Sequence, residues 1–422
     1  MAHYNKKLVF MSACFGMLIF GIVMAVLGSV LPSVILKFGI GKADAGSLFV
    51  LLSLGMLAGS LVFGPLVDRF GYKALLIISA GLIVAGFQGI AFAPGMDMLR
   101  LALFFTGFAG GAINGGTNAL VSDISEGKRG SRLTYLGVFF GVGAFGVPLL
   151  LGSMLDHYSY EILISGVGVM IILPFMLFLF LRFPSPKHAQ GFPLADGLAL
   201  AKDRTLLLFG IILMLQSGLE MSMGGWSATF FVEELAVDAN RAVLFLSLFW
   251  FALMMARVVL GYMLLRVPSA TILRFSFLLS FTGSSIMLMS GSTTTGVIGM
   301  MLAGIGFAAV FPVILAFVGD LYAKLSGTAF SVVLAMALIG GMLVPWIIGV
   351  IAEGHGLRNG LLMIPGSIAV SFLLFQVIMA RMPASGQAVP SSIQAGPAPG
   401  QAEPPSGRRD SSSGQAEPPS GS

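Results

Sequence analysis

Twelve stretches of about twenty apolar residues follow one another along this chain, each long enough for a helix to cross the roughly 30 Å of hydrocarbon in a bilayer. Hydrocarbon offers a peptide group no outside partner. Each stretch must therefore satisfy its own N–H and C=O groups, and is read as a helix even where Gly, Pro and β-branched residues are frequent. The expected spans are 8–36, 45–67, 74–94, 98–121, 133–155, 161–181, 205–235, 241–265, 270–290, 295–318, 327–351 and 360–381. Charge agrees with this reading: Asp, Glu, Lys and Arg make up 10% of the 422 residues, where an ordinary globular domain carries about 25%. The chain is thus expected to be an all-α polytopic membrane protein whose exterior faces the lipid bilayer.

Several function classes drop out at once. A single cysteine, Cys14, allows no internal disulfide, and the four histidines are too scattered to suggest a metal site. No GxxxxGK[ST] is present, so nucleotide does not drive the protein, and no nucleophile arrangement suggests an enzyme or a cofactor. The net charge of +5 sits in short loops between spans, a pattern that needs no nucleic acid. Lys6 and Lys7 precede an apolar run that is too long for a signal peptide, so it is read as a retained first span.

The longest gap, 182–204, is polar and contains prolines, and it divides the spans six and six. The chain is therefore read as two six-helix bundles, 8–181 and 205–381, joined by a cytoplasmic linker at 182–204. Beyond them, 382–422 is read as a disordered cytoplasmic tail, Pro-, Gly- and Ser-rich, in which GQAEPPSG occurs twice. A constant offset of 197 residues carries Gly64 to Gly261, Arg69 to Arg266, Asp123 to Asp320, Pro148 to Pro345 and Asp156 to Glu353. Six spans separate the equivalents, so the two copies have the same orientation and form a parallel repeat. Fifteen basic residues before the tail fall on the side of the N-terminus and five on the other: Lys37, Lys42, Arg100, Arg241 and Arg358. This places both termini in the cytoplasm and the protein, expected to be a monomer, in the plasma (inner) membrane.

Between spans two and three the chain reads Gly64-Pro65-Leu66-Val67-Asp68-Arg69-Phe70-Gly71-Tyr72-Lys73. This resembles the signature loop GxLxDRxGRK of the major facilitator superfamily, with Tyr72 where the second Arg is usual. The resemblance covers residues 8–381 and implies a twelve-helix secondary transporter working by alternating access. It implies conformational gating by Gly64, Asp68, Arg69, Gly71 and Lys73, with Asp68 holding the start of span eleven and Arg69 pairing with Asp123. By the offset, Arg266 is expected to pair with Asp320. Three further segments, 111–123, 218–231 and 304–316, resemble the fucose-permease-like branch, which implies sugar:proton symport. One departure matters: where that branch often has an acid four residues before the span-four Asn, this chain has Asn114 before Asn118.

The proton carrier must then lie elsewhere. Glu220, about fifteen residues into span seven, is the one acid deep in the hydrocarbon, and intramembrane acids are functional candidates by default. Along straight helices Glu220 lies about 22 Å and Arg257 about 13 Å from the same membrane face, so the two are expected apart unless both side chains stretch; Glu220 is read as the proton carrier, with a substrate hydrogen bond or a structural ion pair as alternatives, and Arg257 as a structural anchor. Gln88, Asn114, Asn118 and Gln216 are candidate substrate contacts inside apolar spans, and Trp226 is a candidate stacking surface. The alternative for the amides is an interhelical hydrogen bond, and for Trp226 a place at the lipid interface. Pro148, Pro312 and Pro345 are read as structural bends; 143–152 is similar to an antiporter bend motif, but Val147 interrupts it. The function expected is transport of a small organic solute, a monosaccharide, with protons. The alternatives are a proton-driven drug or metabolite exporter, or an uncoupled uniporter.

Overall fold

Every expected span is helical in the structure, a computed structural model that describes residues 4–125, 129–186, 202–322 and 326–381. Most of the linker and all of the tail read from the sequence lie outside the described residues. The helices are α1 (Lys6–Phe38), α2 (Lys42–Ala91), α3 (Met96–Ile124), α4 (Arg129–Met154), α5 (Tyr160–Met170), α6 (Ile172–Phe180) and α7 (Arg204–Leu235). They continue with α8 (Ala239–Met263), α9 (Ser269–Met289), α10 (Thr293–Leu321), α11 (Ser326–His355), α12 (Leu357–Leu361) and α13 (Met363–Arg381).

Among the described residues eleven helices are long and apolar enough to cross a membrane. One of them is double. Straight, the fifty residues of α2 would reach about 75 Å, far beyond a bilayer. Gly71 breaks the run at φ 79°, ψ 168°, backbone that a side chain would strain, so α2 holds spans two and three and the count is twelve. Spans six and twelve are each made of two pieces, α5 with α6 and α12 with α13. Asn5 caps α1 by accepting from Lys7 N at 3.0 Å, and Asp203 caps α7 by accepting from Leu206 N at 2.8 Å.

The repeat is visible in the packing. Helix α1 packs on α4 as α7 packs on α11, and across the molecule α2 packs on α11 as α8 packs on α4. The two six-span halves therefore meet through α1–α7, α2–α11 and α4–α8, which is the exchange of partners that two like-oriented copies produce about one axis.

Candidate functional site

The seams between the halves are tight on the side away from the N-terminus, here called the far side. On α1–α7 the backbones come so close that a Cβ on Gly28 would stand 1.9 Å from the Gly224 carbonyl oxygen. On α2–α11 the far-side end of α2 begins at Gly41, which offers no side-chain cap. Its cap comes from the other half: Glu353 of α11 accepts from the backbone N–H of Lys42, and from Ala43 N at 3.2 Å. A carboxylate here also faces the positive end of the helix dipole. Lys42 in turn pairs with Glu233 of α7. On α4–α8 Asn240 Nδ2 donates to Asp156 Oδ2 at 2.6 Å. Asp156 and Glu353 are offset equivalents, so both copies use the same acid to grip the start of a helix in the other half.

Deeper in, Ser53 of α2 donates to the Gly341 carbonyl of α11 at 3.2 Å. Pro345, four residues on, has no N–H to give that carbonyl, so the bend residue frees an acceptor and the other half fills it. Trp226 lies in this closure. It is fully buried, donates Nε1 to the Pro345 carbonyl at 3.1 Å and packs on Phe49 of α2 with ring centroids 5.9 Å apart. The candidate stacking residue is thus, in this state, part of the far-side plug.

The α4–α8 seam runs inward to Phe140 and Arg257, with the guanidinium 5.8 Å from the ring centroid. One helical turn further, Gly137 on α4 and Gly261 on α8 have nothing within 4 Å of an added Cβ, so the helices have parted. The closing contacts between the halves thus lie toward the far side.

At this apex Glu220 and Arg257 meet. Arg257 Nη2 donates to Glu220 Oε1 at 3.2 Å and to Oε2 at 3.3 Å, while Arg257 Nε is buried without a partner among the described residues. The pairing corrects the expectation that the two lie apart. Depth had been counted from the face where the helix ends are unequal. Counted from the far side, where residues 236–238 tie α7 to α8, Glu220 and Arg257 differ by about three residues, or about 4.5 Å.

Helix α3 carries two amides. Asn118 Nδ2 donates to the Asn114 carbonyl at 2.9 Å and to Asn114 Oδ1 at 3.0 Å, and touches Met17 of α1. A Cβ on Gly110 would meet Phe20 and Val23, and one on Gly16 would meet Thr117. Asn114 therefore lies near the depth of Phe20, whose ring is 5.6 Å from that of Phe140. Both Asn residues are half-buried. Gln216 is buried and donates to the Phe307 carbonyl of α10 at 3.4 Å, a contact within its own half.

Gln88 is elsewhere. Its Nε2 donates to the Ser165 carbonyl at 3.1 Å, and its Oε1 accepts from Ser165 Oγ at 2.7 Å. Both ends of the amide are spent clasping span three to span six, so Gln88 takes the interhelical role that had been its alternative.

In the signature loop the residue at the departing position reaches the acid of span four. Tyr72, at the departing position, is fully buried and donates its hydroxyl to Asp123 Oδ2 at 2.7 Å. Arg69, expected there, is exposed with its guanidinium over the Phe70 ring at 5.2 Å. In the other half Arg266 lies over Tyr262 at 4.5 Å, and among the described residues no ion pair joins it to Asp320. Tyr322 at the end of α10 instead donates to Asp203, the cap of α7. Burial, then that hydrogen bond, raises the Tyr322 hydroxyl above the usual tyrosine range, so it stays a donor at neutral pH. Asp68 and Lys73 are exposed, Gly64 is buried, and Pro148 and Pro312 lie inside α4 and α10.

Sequence reasoning missed Phe140, Asp156 and Glu353 as working residues. The offset had already paired Asp156 with Glu353. A groove of about 680 Å³ also lies on the far side, lined by residues such as Lys37, Asp156, Glu161 and Arg241; it holds the closing contacts rather than the point where the halves part.

The Major Facilitator Superfamily family model matches residues 13–302 and 233–407. An uncharacterized transporter, y4wD, from Sinorhizobium fredii is 28% identical over 355 residues, 81% of this chain and 91% of the relative. The glucose/mannose transporter GlcP of Bacillus subtilis is 21% identical over 78% of this chain and 84% of its own. A solved D-xylose-proton symporter shares the fold with a TM-score of 0.74 at 14% identity, over 90% of this chain and 99% of that one. The relatives are membrane transporters, not enzymes. With the model covering most of the chain and the helices arranged as that family requires, the chain belongs to the Major Facilitator Superfamily.

Proposed function

We propose that this transporter moves a small polyhydroxylated solute, of the monosaccharide class, together with protons, with Glu220 as the proton carrier. The observation that carries the reading is the Glu220–Arg257 pair where the α4–α8 seam ends, 3.2 Å between Nη2 and Oε1. Charges inside a membrane protein are costly and tend to line a substrate or ion path. Asn114 and Asn118, both half-buried, supply hydroxyl partners. The sugar class draws on the likeness to GlcP and to the D-xylose-proton symporter, and on the fucose-permease-like segments of the sequence.

In this reading the halves, 8–181 and 205–381, rock about the midplane and expose the pair to each side in turn. The chain works as a monomer in the plasma membrane with both termini in the cytoplasm. The far-side grips then let go when the site opens outward, and the loop around Asp68 lets go when it opens inward.

The test is proton movement in proteoliposomes with a trapped pH dye. Adding a monosaccharide outside is expected to make the external medium more alkaline, and Glu220→Gln is expected to abolish uphill accumulation. Proton release driven by cationic drugs, with none by sugars, sinks this reading in favour of an exporter. Solute flux without proton movement sinks the coupling and leaves a uniporter.

A further inference from the structure

We propose that the transported solute carries a carboxylate as well as hydroxyls, and that Arg257 is the group that binds it. The inference rests on the transport reading above and specifies its solute.

The Arg257 guanidinium has five N–H donors in a fixed fork. Glu220 uses one nitrogen of it, Nη2, for both carboxylate oxygens. A carboxylate that fits the fork takes donors from two nitrogens in parallel, so the resident acid fills the fork poorly. Nε is buried with no partner among the described residues, and the Arg257 side chain is 26% exposed against 10% for Glu220. The cation is therefore the accessible member of the pair and the one with donors to spare.

Charge balance then links the solute to the proton. The resting pair is neutral. An incoming carboxylate would leave one uncompensated negative charge in a low-dielectric site, which is costly. A proton on Glu220 removes it: the carboxylate takes over Arg257, the protonated Glu220 stays neutral, and one proton enters with each carboxylate. Phe140, from the other half, covers one face of the guanidinium, so the carboxylate enters from the open side, and the half that must move touches the group that senses occupancy. Asn114 and Asn118 are the half-buried amides offered to the solute's hydroxyls. The chemistry described is that of a small polyhydroxy monocarboxylate.

The experiment uses the purified full-length protein in proteoliposomes with an inward proton gradient and a clamped membrane potential, and compares radiolabelled D-gluconate with D-glucose. Gluconate is expected to accumulate, with a rate that does not change when the potential is stepped, because the loaded site is neutral. Arg257→Gln is expected to weaken gluconate binding about tenfold or more, and Arg257→Lys less, because a point charge replaces the fork. In Glu220→Gln the gradient no longer drives accumulation, while gluconate counterflow remains measurable, which also shows that the variant is folded. Accumulation of glucose and not gluconate overturns this proposal and leaves proton-coupled transport standing. Proton-driven movement of neither overturns both, and gluconate uptake that follows the potential overturns the neutral exchange.

Discussion

Replacing Tyr72 by Phe removes the hydroxyl that donates to Asp123 and leaves a buried carboxylate, 7% exposed, without that donor. Hydrogen bonds to charged groups contribute roughly 1.5–3 kcal/mol, so Tyr72→Phe is expected to lower the melting temperature of the detergent-purified protein by several degrees. A melting temperature equal to that of the parent would show that Asp123 does not need this contact. The sequence identified Asp123 as the acid to watch and did not name Tyr72 as a donor to it. A motif records which residue types recur, whereas the donor that reaches the acid depends on which side of the Gly71 break each side chain emerges. Glu220 teaches the same lesson. Its place in the hydrocarbon follows from counting residues, but its partner depends on how two helices of 32 and 25 residues are set against each other.

Helix α2 has Gly41 at its N-cap and takes its side-chain cap from Glu353 in the other half, so the cap depends on the contact between the halves. Glu353→Gln keeps the shape but removes the charge that faces the helix dipole, an interaction of about 0.3–1 kcal/mol at such a site. The variant is expected to favour the state open on the far side by a few-fold. The check is faster alkylation of a cysteine placed at Phe49, in a Cys14-free background, from the outside; an unchanged rate means that Glu353 does not latch the closure. Ser53→Ala should act in the same direction, because it leaves the carbonyl freed by Pro345 without its donor. Neither contact could be read from one helix, since each joins a backbone group in one half to a side chain in the other.

The whole molecule carries its repeat further than residue identity shows. Lys37 pairs with Glu161 at 3.1 Å, joining span one to span six; Glu234 pairs with Arg358 at 3.1 Å, joining span seven to span twelve. Both residues of the second pair stand 197 positions after those of the first, with the charges exchanged. Each cation also lies beside a ring, Lys37 by Tyr160 and Arg358 by Phe230. The fold therefore accepts either polarity at this place. Lys37→Glu alone should cost about 1 kcal/mol or less, since these pairs are partly exposed, and the double exchange Lys37→Glu with Glu161→Lys should restore it, as thermal stability in detergent would show. If the double variant is no better than the single one, the two sites are not equivalent. Gly28→Val should do more, because its side chain would meet the Gly224 carbonyl and hold the halves apart; loss of transport with faster outside labelling of the Phe49→Cys reporter is the expected result. By itself the sequence determined the twelve spans, the family loop, the doubled architecture and an acid in the membrane, because solvation by hydrocarbon and the 197-residue repeat are written into every span. Only the tertiary structure decided that Glu220 faces Arg257, that Trp226 belongs to a plug and Gln88 to a clasp, and which side is shut. Those depend on the rotation, depth and tilt of packed helices, which many side chains set together and no single stretch of sequence encodes.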